Sequence, residues 1–190
     1  MKKFLAAILA TGILFTGCGN ENPVPSTPKK VEQVEVRDAA DLGMTFEQFA
    51  TSLQVNSSNF GMPLSIHDTK FTPGSEKNGY TCNILQNLSL MAAVDKNTGM
   101  ITIVELFATP KTTDDLLNMV FAYGTVMSIL NPELSQDQRG EILQQLYLTP
   151  EKLPQLKETG GRVVRGNVKY MTSFIEGYGL FILGAETKDS

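Results

Sequence analysis

The chain has 190 residues, with 16 Lys and Arg against 20 Asp and Glu, one His, two Cys and no Trp. That length suits one domain with a sizeable core. An acidic chain whose basic residues are scattered argues against a nucleic-acid partner or an anionic-lipid surface. One His and two Cys do not supply the ordinary three- or four-ligand set of a zinc site.

The chain opens on Lys2 and Lys3, followed by an apolar run from Phe4 to Phe15. This is the layout of a secretory signal peptide. The run is too short to span a bilayer, which takes roughly 20 apolar residues. It ends in Phe15-Thr16-Gly17-Cys18. That sequence resembles the lipobox of bacterial lipoproteins, although the usual Leu three residues before the cysteine is here Phe15, with Leu14 one position earlier. The resemblance covers the first twenty residues. It implies removal of residues 1–17, a diacyl or triacyl group on Cys18, and a domain held at a membrane outside the cytoplasm. Two or three acyl chains hold firmly because each buried methylene contributes about 0.8 kcal/mol. Gly19, rather than Asp, after the cysteine implies the outer membrane where a cell has one. The remaining 173 residues carry 14 basic and 20 acidic side chains, a net charge of −6.

Residues 19–30 are polar and carry Pro23, Pro25 and Pro28. Such a stretch has little apolar area with which to offset chain entropy, so residues 18–43 are expected to form a lipidated cysteine and a disordered tether. Val31 to Asp38 alternates apolar and polar residues and suits either a short edge strand or further linker.

A single domain is expected over residues 44–186, with a frayed tail at 187–190. Thr45 and Gln48 have capping-box spacing, with Met44 and Phe49 placed as a hydrophobic staple. Phe46, Phe49, Ala50 and Leu53 then predict a helix over 46–55. Residues 62–71, 80–85, 88–95 and 100–108 read as strands. Asp95-Lys96-Asn97-Thr98-Gly99 is a hairpin loop with glycine where a positive φ is wanted. It differs in order from an aspartyl-phosphate motif, and no phosphate-binding glycine loop accompanies it.

Residues 112–131 form the strongest predicted helix. Its apolar residues, including Leu116, Leu117, Met119, Val120, Phe121, Val126, Met127, Ile129 and Leu130, cover nearly the whole circumference. Such a helix is expected to be buried on several sides. Asn131-Pro132 stops it. Ser135 with Gln138 opens another helix to about Tyr147, and Thr149-Pro150 starts a third, short one. Strands follow at 162–164, 167–175 and 178–183. Runs of strands separated by runs of helices predict an α+β fold: an antiparallel β-sheet packed against a long buried helix, in the order α-βββ(β)-αα(α)-βββ. The two halves are loosely alike, each a helix followed by a β-meander.

Catalytic, cofactor and metal motifs are missing. There is no P-loop, no Gly-x-Gly-x-x-Gly and no Gly-x-Ser-x-Gly elbow. Cys82 reads as a buried thiol in a strand and His67 as a strand-edge residue. A pairing of the two would be needed for thiolate chemistry. Tyr170, Phe174, Tyr178 and Phe181 read as core aromatics with groove lining as the alternative. The expected catalytic, cofactor and metal residues are therefore none, and Cys18 is the expected lipidation site.

The expected function is a lipid-anchored, non-catalytic envelope protein presenting a domain that binds a protein or small ligand. A transport-linked or lipid-handling module, with an apolar cavity between the long helix and the sheet, is the second reading. A small carboxylate-based hydrolase is the third. A cavity under residues 116–130 favours the second, converging carboxylates the third, and a filled core with an exposed apolar patch the first.

Overall fold

A computed structural model describes residues 41–188. The expected lipidation at Cys18 and all but the last three residues of the expected tether, 18–43, lie outside these residues. The described chain runs α1 (Phe46–Asn59), β1 (His67–Thr72), β2 (Lys77–Leu85), β3 (Leu88–Asp95), β4 (Ile101–Ala108), α2 (Thr113–Leu130), α3 (Gln136–Gln145), α4 (Leu153–Thr159), β5 (Gly161–Arg165), β6 (Val168–Ile175) and β7 (Leu180–Thr187). This is the expected α+β order, with four strands in the first meander and three helices between the meanders. Among the described residues, no helix is long and apolar enough to cross a membrane.

All seven strands form one antiparallel sheet in the order β1-β2-β3-β4-β7-β6-β5. Each meander ends at the centre, where β4 pairs with β7 and Leu106 stands opposite Leu183. The helix-then-meander likeness of the two halves is thus expressed in the topology, with the last strand of each half forming the joint.

Local chemistry sets the helix starts. Thr45, Thr112 and Ser135 each accept from a backbone N–H three residues on, and Gln48, Asp115 and Gln138 return the bond. These three capping boxes satisfy amide groups that the first helical turn leaves without partners. The loop between β3 and β4 closes as its sequence requires. The Asp95 carboxylate accepts from the amides of Asn97 and Thr98, and Gly99 takes a φ of +71°. Helix α1 continues to Asn59, past the expected end near residue 56. Ser57, buried on its last turn, accepts from the Leu64 amide at 2.8 Å and fixes the chain that leads to β1. Strand β1 begins at His67, not at residue 62; a register shift follows within it, and its residues are exposed.

Cross-strand partners share a face of a sheet. One face carries the rows Tyr80–Ala92–Val104–Ala185–Tyr170–Val163 and Cys82–Leu90–Leu106–Leu183–Thr172–Gly161. These side chains are largely buried, together with Phe49 and Leu53 of α1, Met119, Ala122, Tyr123, Val126 and Met127 of α2, Ile142 of α3 and Leu156 of α4. Leu42, ahead of α1, is also buried, and its amide donates to the Ile101 carbonyl.

Helix α2 departs from the expectation of burial all round. Its second half is enclosed, but Leu117 is 57% exposed, and Val120, Phe121 and Gly124 are only partly covered. Helix α3 contacts α2 without sheathing its first turns. Gly160-Gly161, at the junction of α4 and β5, has a packing reason for both glycines. A Cβ on Gly160 would lie 2.6 Å from the Thr172 carbonyl oxygen, and one on Gly161 would lie 2.6 Å from Leu146 Cα. Backbone on both sides leaves no room for a side chain.

Candidate functional site

The face of the sheet opposite the core carries the rows Thr81–Met91–Glu105–Gly184–Met171–Arg162, Gly79–Ala93–Ile103–Glu186–Lys169–Val164 and Asn83–Ser89–Phe107–Ile182–Ser173. Its centre mixes half-buried apolar side chains (Met91, Ile103, Phe107, Met171, Ile182) with a small set of charges. Alternation that places apolar residues on both faces of β3, β4 and β7 produces this pattern, where a solvated antiparallel sheet ordinarily shows polar residues.

A cleft of about 610 Å³ opens where this face meets the end of α4, lined by residues of β4, β7, β6 and the start of β5 and by Leu156, Lys157, Glu158 and Thr159 of α4. Its floor is Gly184, with Met171 and Glu105 leaning over it at 3.6 and 3.8 Å from where a Cβ would stand. Ile182 and Phe174 add apolar wall, while Lys157 and Arg162 bring positive charge and Glu158 negative charge to the rim. The Lys157 ammonium also sits 5.3 Å from the centroid of the Phe174 ring. The volume falls in the range of small-molecule sites, and apolar walls with a few polar groups are their usual lining.

Two carboxylates lie near one another here. Glu105 faces Gly184, and Glu186 stands two residues further along β7. Glu186 pairs across strands with Lys169 in a salt bridge. Burial and the negative charge of Glu186 raise the Glu105 pKa above the usual carboxylate value. A shifted acid in a cleft is a functional-site signal. Sequence reasoning did not single out Glu105, because only strand pairing brings Gly184, Met171 and Arg162 to its side.

Beneath the floor, the Tyr123 hydroxyl reaches up from α2 and is shared between the carbonyls of Gly184 at 2.5 Å and Met171 at 3.1 Å. Tyr170, 6.2 Å away ring to ring, donates to Asn131 Oδ1 at 2.6 Å, and the Asn131 amide donates to Glu133. Burial raises the pKa of both phenols. Both therefore remain hydrogen-bond donors at any physiological pH.

The structure sets His67 and Cys82 apart. Cys82 faces the core, 2% exposed, with its thiol directed at the Leu90 carbonyl at 3.8 Å. Burial pushes that thiol up to about 11. His67 is exposed and stands opposite Asn83, whose side chain lies on the other face of the sheet from Cys82. The two do not meet as a nucleophile and base. Of the four aromatics, Tyr170 and Phe181 are core residues, and the Phe174 ring lies tilted against Phe181 at 4.7 Å between centroids. Tyr178 is 80% exposed, in the tight turn Glu176–Tyr178 that joins β6 to β7. Among the described residues, no group of three His, Cys, Asp or Glu side chains is placed to hold a metal ion.

No protein-family model, no curated protein and no solved structure matches this chain, so the candidate site stands on its own geometry.

Proposed function

We propose that this protein is a lipid-anchored component of a bacterial cell envelope that binds a small ligand without transforming it, in the cleft on the open face of its sheet. The observation that carries the binding part is the one-sided fold. The helices pack on one face, and the opposite face presents a cleft, closed on one side by the end of α4, with Glu105 at one end and Arg162 at the other. The anchoring part rests on Phe15-Thr16-Gly17-Cys18 after a basic and apolar leader.

The filled contact between α2 and the sheet supports binding on the outer face over binding in a cavity beneath the helix. Met119, Ala122, Tyr123, Val126 and Met127 are all buried there. A hydrolase reading draws on Glu105 and Glu158, which both line the cleft, since the Lys169 ammonium engages Glu186.

Native mass spectrometry of the protein extracted from its own membranes tests this reading. The wild-type chain is expected to retain a small molecule that a Gly184→Leu variant loses, since leucine fills the cleft floor. Absence of a retained molecule, or its conversion to product on the protein, contradicts it.

A further inference from the structure

Resting on the reading of the sheet-face cleft as a binding site, we propose that its ligand is a short peptide with free ends, about three residues long, whose ammonium group is held by Glu105 and whose carboxylate is held by Arg162. Glu105, Gly184, Met171 and Arg162 are successive cross-strand partners, so they form one row on one face across β4, β7, β6 and β5. The row begins with an anion, ends with a cation and has only Gly184 and Met171 between them.

Both ends are open to a ligand. Glu105 is half-buried. Burial and Glu186 both disfavour its charge, and no cation or hydrogen-bond donor among the described residues offsets them. The Lys169 ammonium engages Glu186 instead, and that pair is neutral. At the other end Arg162 is exposed, and among the described residues its guanidinium makes no ion pair. Lys157 and Glu158 of α4 add one charge of each sign to the rim, so the α4–β5 end keeps the positive charge of Arg162. A ligand ammonium supplies the cation that Glu105 lacks, and a carboxylate fits the planar guanidinium fork.

Length selects among zwitterions. Glu105 Oε1 lies 3.9 Å from where a Gly184 Cβ would stand, so the carboxylate leans over Gly184 toward the Arg162 end. Two strand spacings then remain, roughly 10 Å from Gly184 to Arg162. A free amino acid, with both charges on one carbon, falls short of that span. An extended chain covers about 3.3–3.6 Å per residue, so three residues bridge it. Between the ends, Met171, Ile182 and Phe174 offer apolar wall to the ligand's side chains, and Ser173 brings a hydroxyl to the same lining for its amide groups. Gly184 lets the ligand backbone lie low on the sheet.

Calorimetric titration of the detergent-extracted full chain with trileucine, N-acetyltrileucine and trileucine amide tests the assignment. The native chain is expected to bind trileucine about tenfold or more tightly than either blocked form, because each block removes a charge-assisted bond. Glu105→Gln is expected to bind trileucine and N-acetyltrileucine alike while still rejecting the amide. Arg162→Gln is expected to show the converse. A native chain that does not bind trileucine, or that binds the blocked forms equally well, overturns the proposal. So does a variant that loses discrimination at both ends or at neither. Native mass spectrometry separates these results from failure of the cleft itself. A molecule retained by the native chain, lost from Gly184→Leu and lacking an amine and a carboxylate overturns the peptide ligand but leaves the cleft a binding site. Absence of both a retained molecule and trileucine binding overturns the two together.

Discussion

The Tyr123 hydroxyl lies 2.5 Å from the Gly184 carbonyl, so a residue of the buried helix holds the floor of a cleft on the opposite face of the sheet. The same hydroxyl serves the Met171 carbonyl across the β6–β7 pair. Removing it leaves backbone acceptors without that donor in a buried site, which costs about 1–3 kcal/mol. Tyr123→Phe is therefore expected to lower the midpoint of chemical denaturation while keeping the fold. In the proposed binding role it also weakens retention of the cleft ligand, which a stability effect alone would not do at temperatures far below unfolding.

Burial separates two residues of α2 that look alike in sequence. Ile129 is enclosed, whereas Leu117 stands out from the helix. Truncating an enclosed aliphatic side chain costs about 2–5 kcal/mol, a large share of the 5–15 kcal/mol typical of a domain. Ile129→Ala is expected to show that loss in thermal or urea unfolding. Leu117→Ala is expected to stay within about 0.5 kcal/mol of the native chain.

The Cys82 thiol gives a pH signature. Its ionisation lies near 11 in the folded chain against an ordinary 9.0, because burial disfavours the thiolate. The raised value means the folded state holds the proton more tightly. That contribution to stability is complete below pH 9 and is lost as pH rises toward 11. At pH 8 the thiol is expected to resist alkylation in the native chain and to react fully once the chain is unfolded. A Cys82→Ser variant is expected to lose the alkaline part of the stability profile assigned to this group.

Glu105 carries the opposite lesson for neutral pH. Its pKa is raised by burial and by Glu186, so its charged form is disfavoured in the fold. Ionised Glu105 therefore works against stability at pH 7, and that penalty fades as pH falls through the carboxylate range. Glu105→Gln is expected to raise the melting temperature at pH 7, with the gain shrinking toward pH 4. The proposed role in the cleft further predicts that the same variant alters ligand retention.

Much of the fold was legible because local chemistry announced it. The Thr45–Gln48 and Ser135–Gln138 pairs marked two helix starts, and Asp95 to Gly99 marked a hairpin, each through bonds between near neighbours. Thr112 and Asp115 form a third capping box, with the Asp115 carboxylate also accepting from Asn87 and the Lys111 amide. The misreading of Leu117 has a physical reason. Periodicity counts apolar residues around a helix, but it cannot say how far a neighbouring helix extends over them. The same limit applies to Tyr178, which is aromatic yet sits on a turn outside the core. The candidate site was not legible at all. It depends on β4 meeting β7, which joins residues nearly eighty positions apart and sets Glu105 against Gly184.

The central claim is a binding domain tethered to a membrane by lipid, and Cys18 is its most direct test. Intact-mass spectrometry of the protein extracted from its native membranes is predicted to show a chain that begins at Cys18 and carries acyl groups. A Cys18→Ala variant should lose that form. A soluble, unmodified chain cut at another residue would contradict the account.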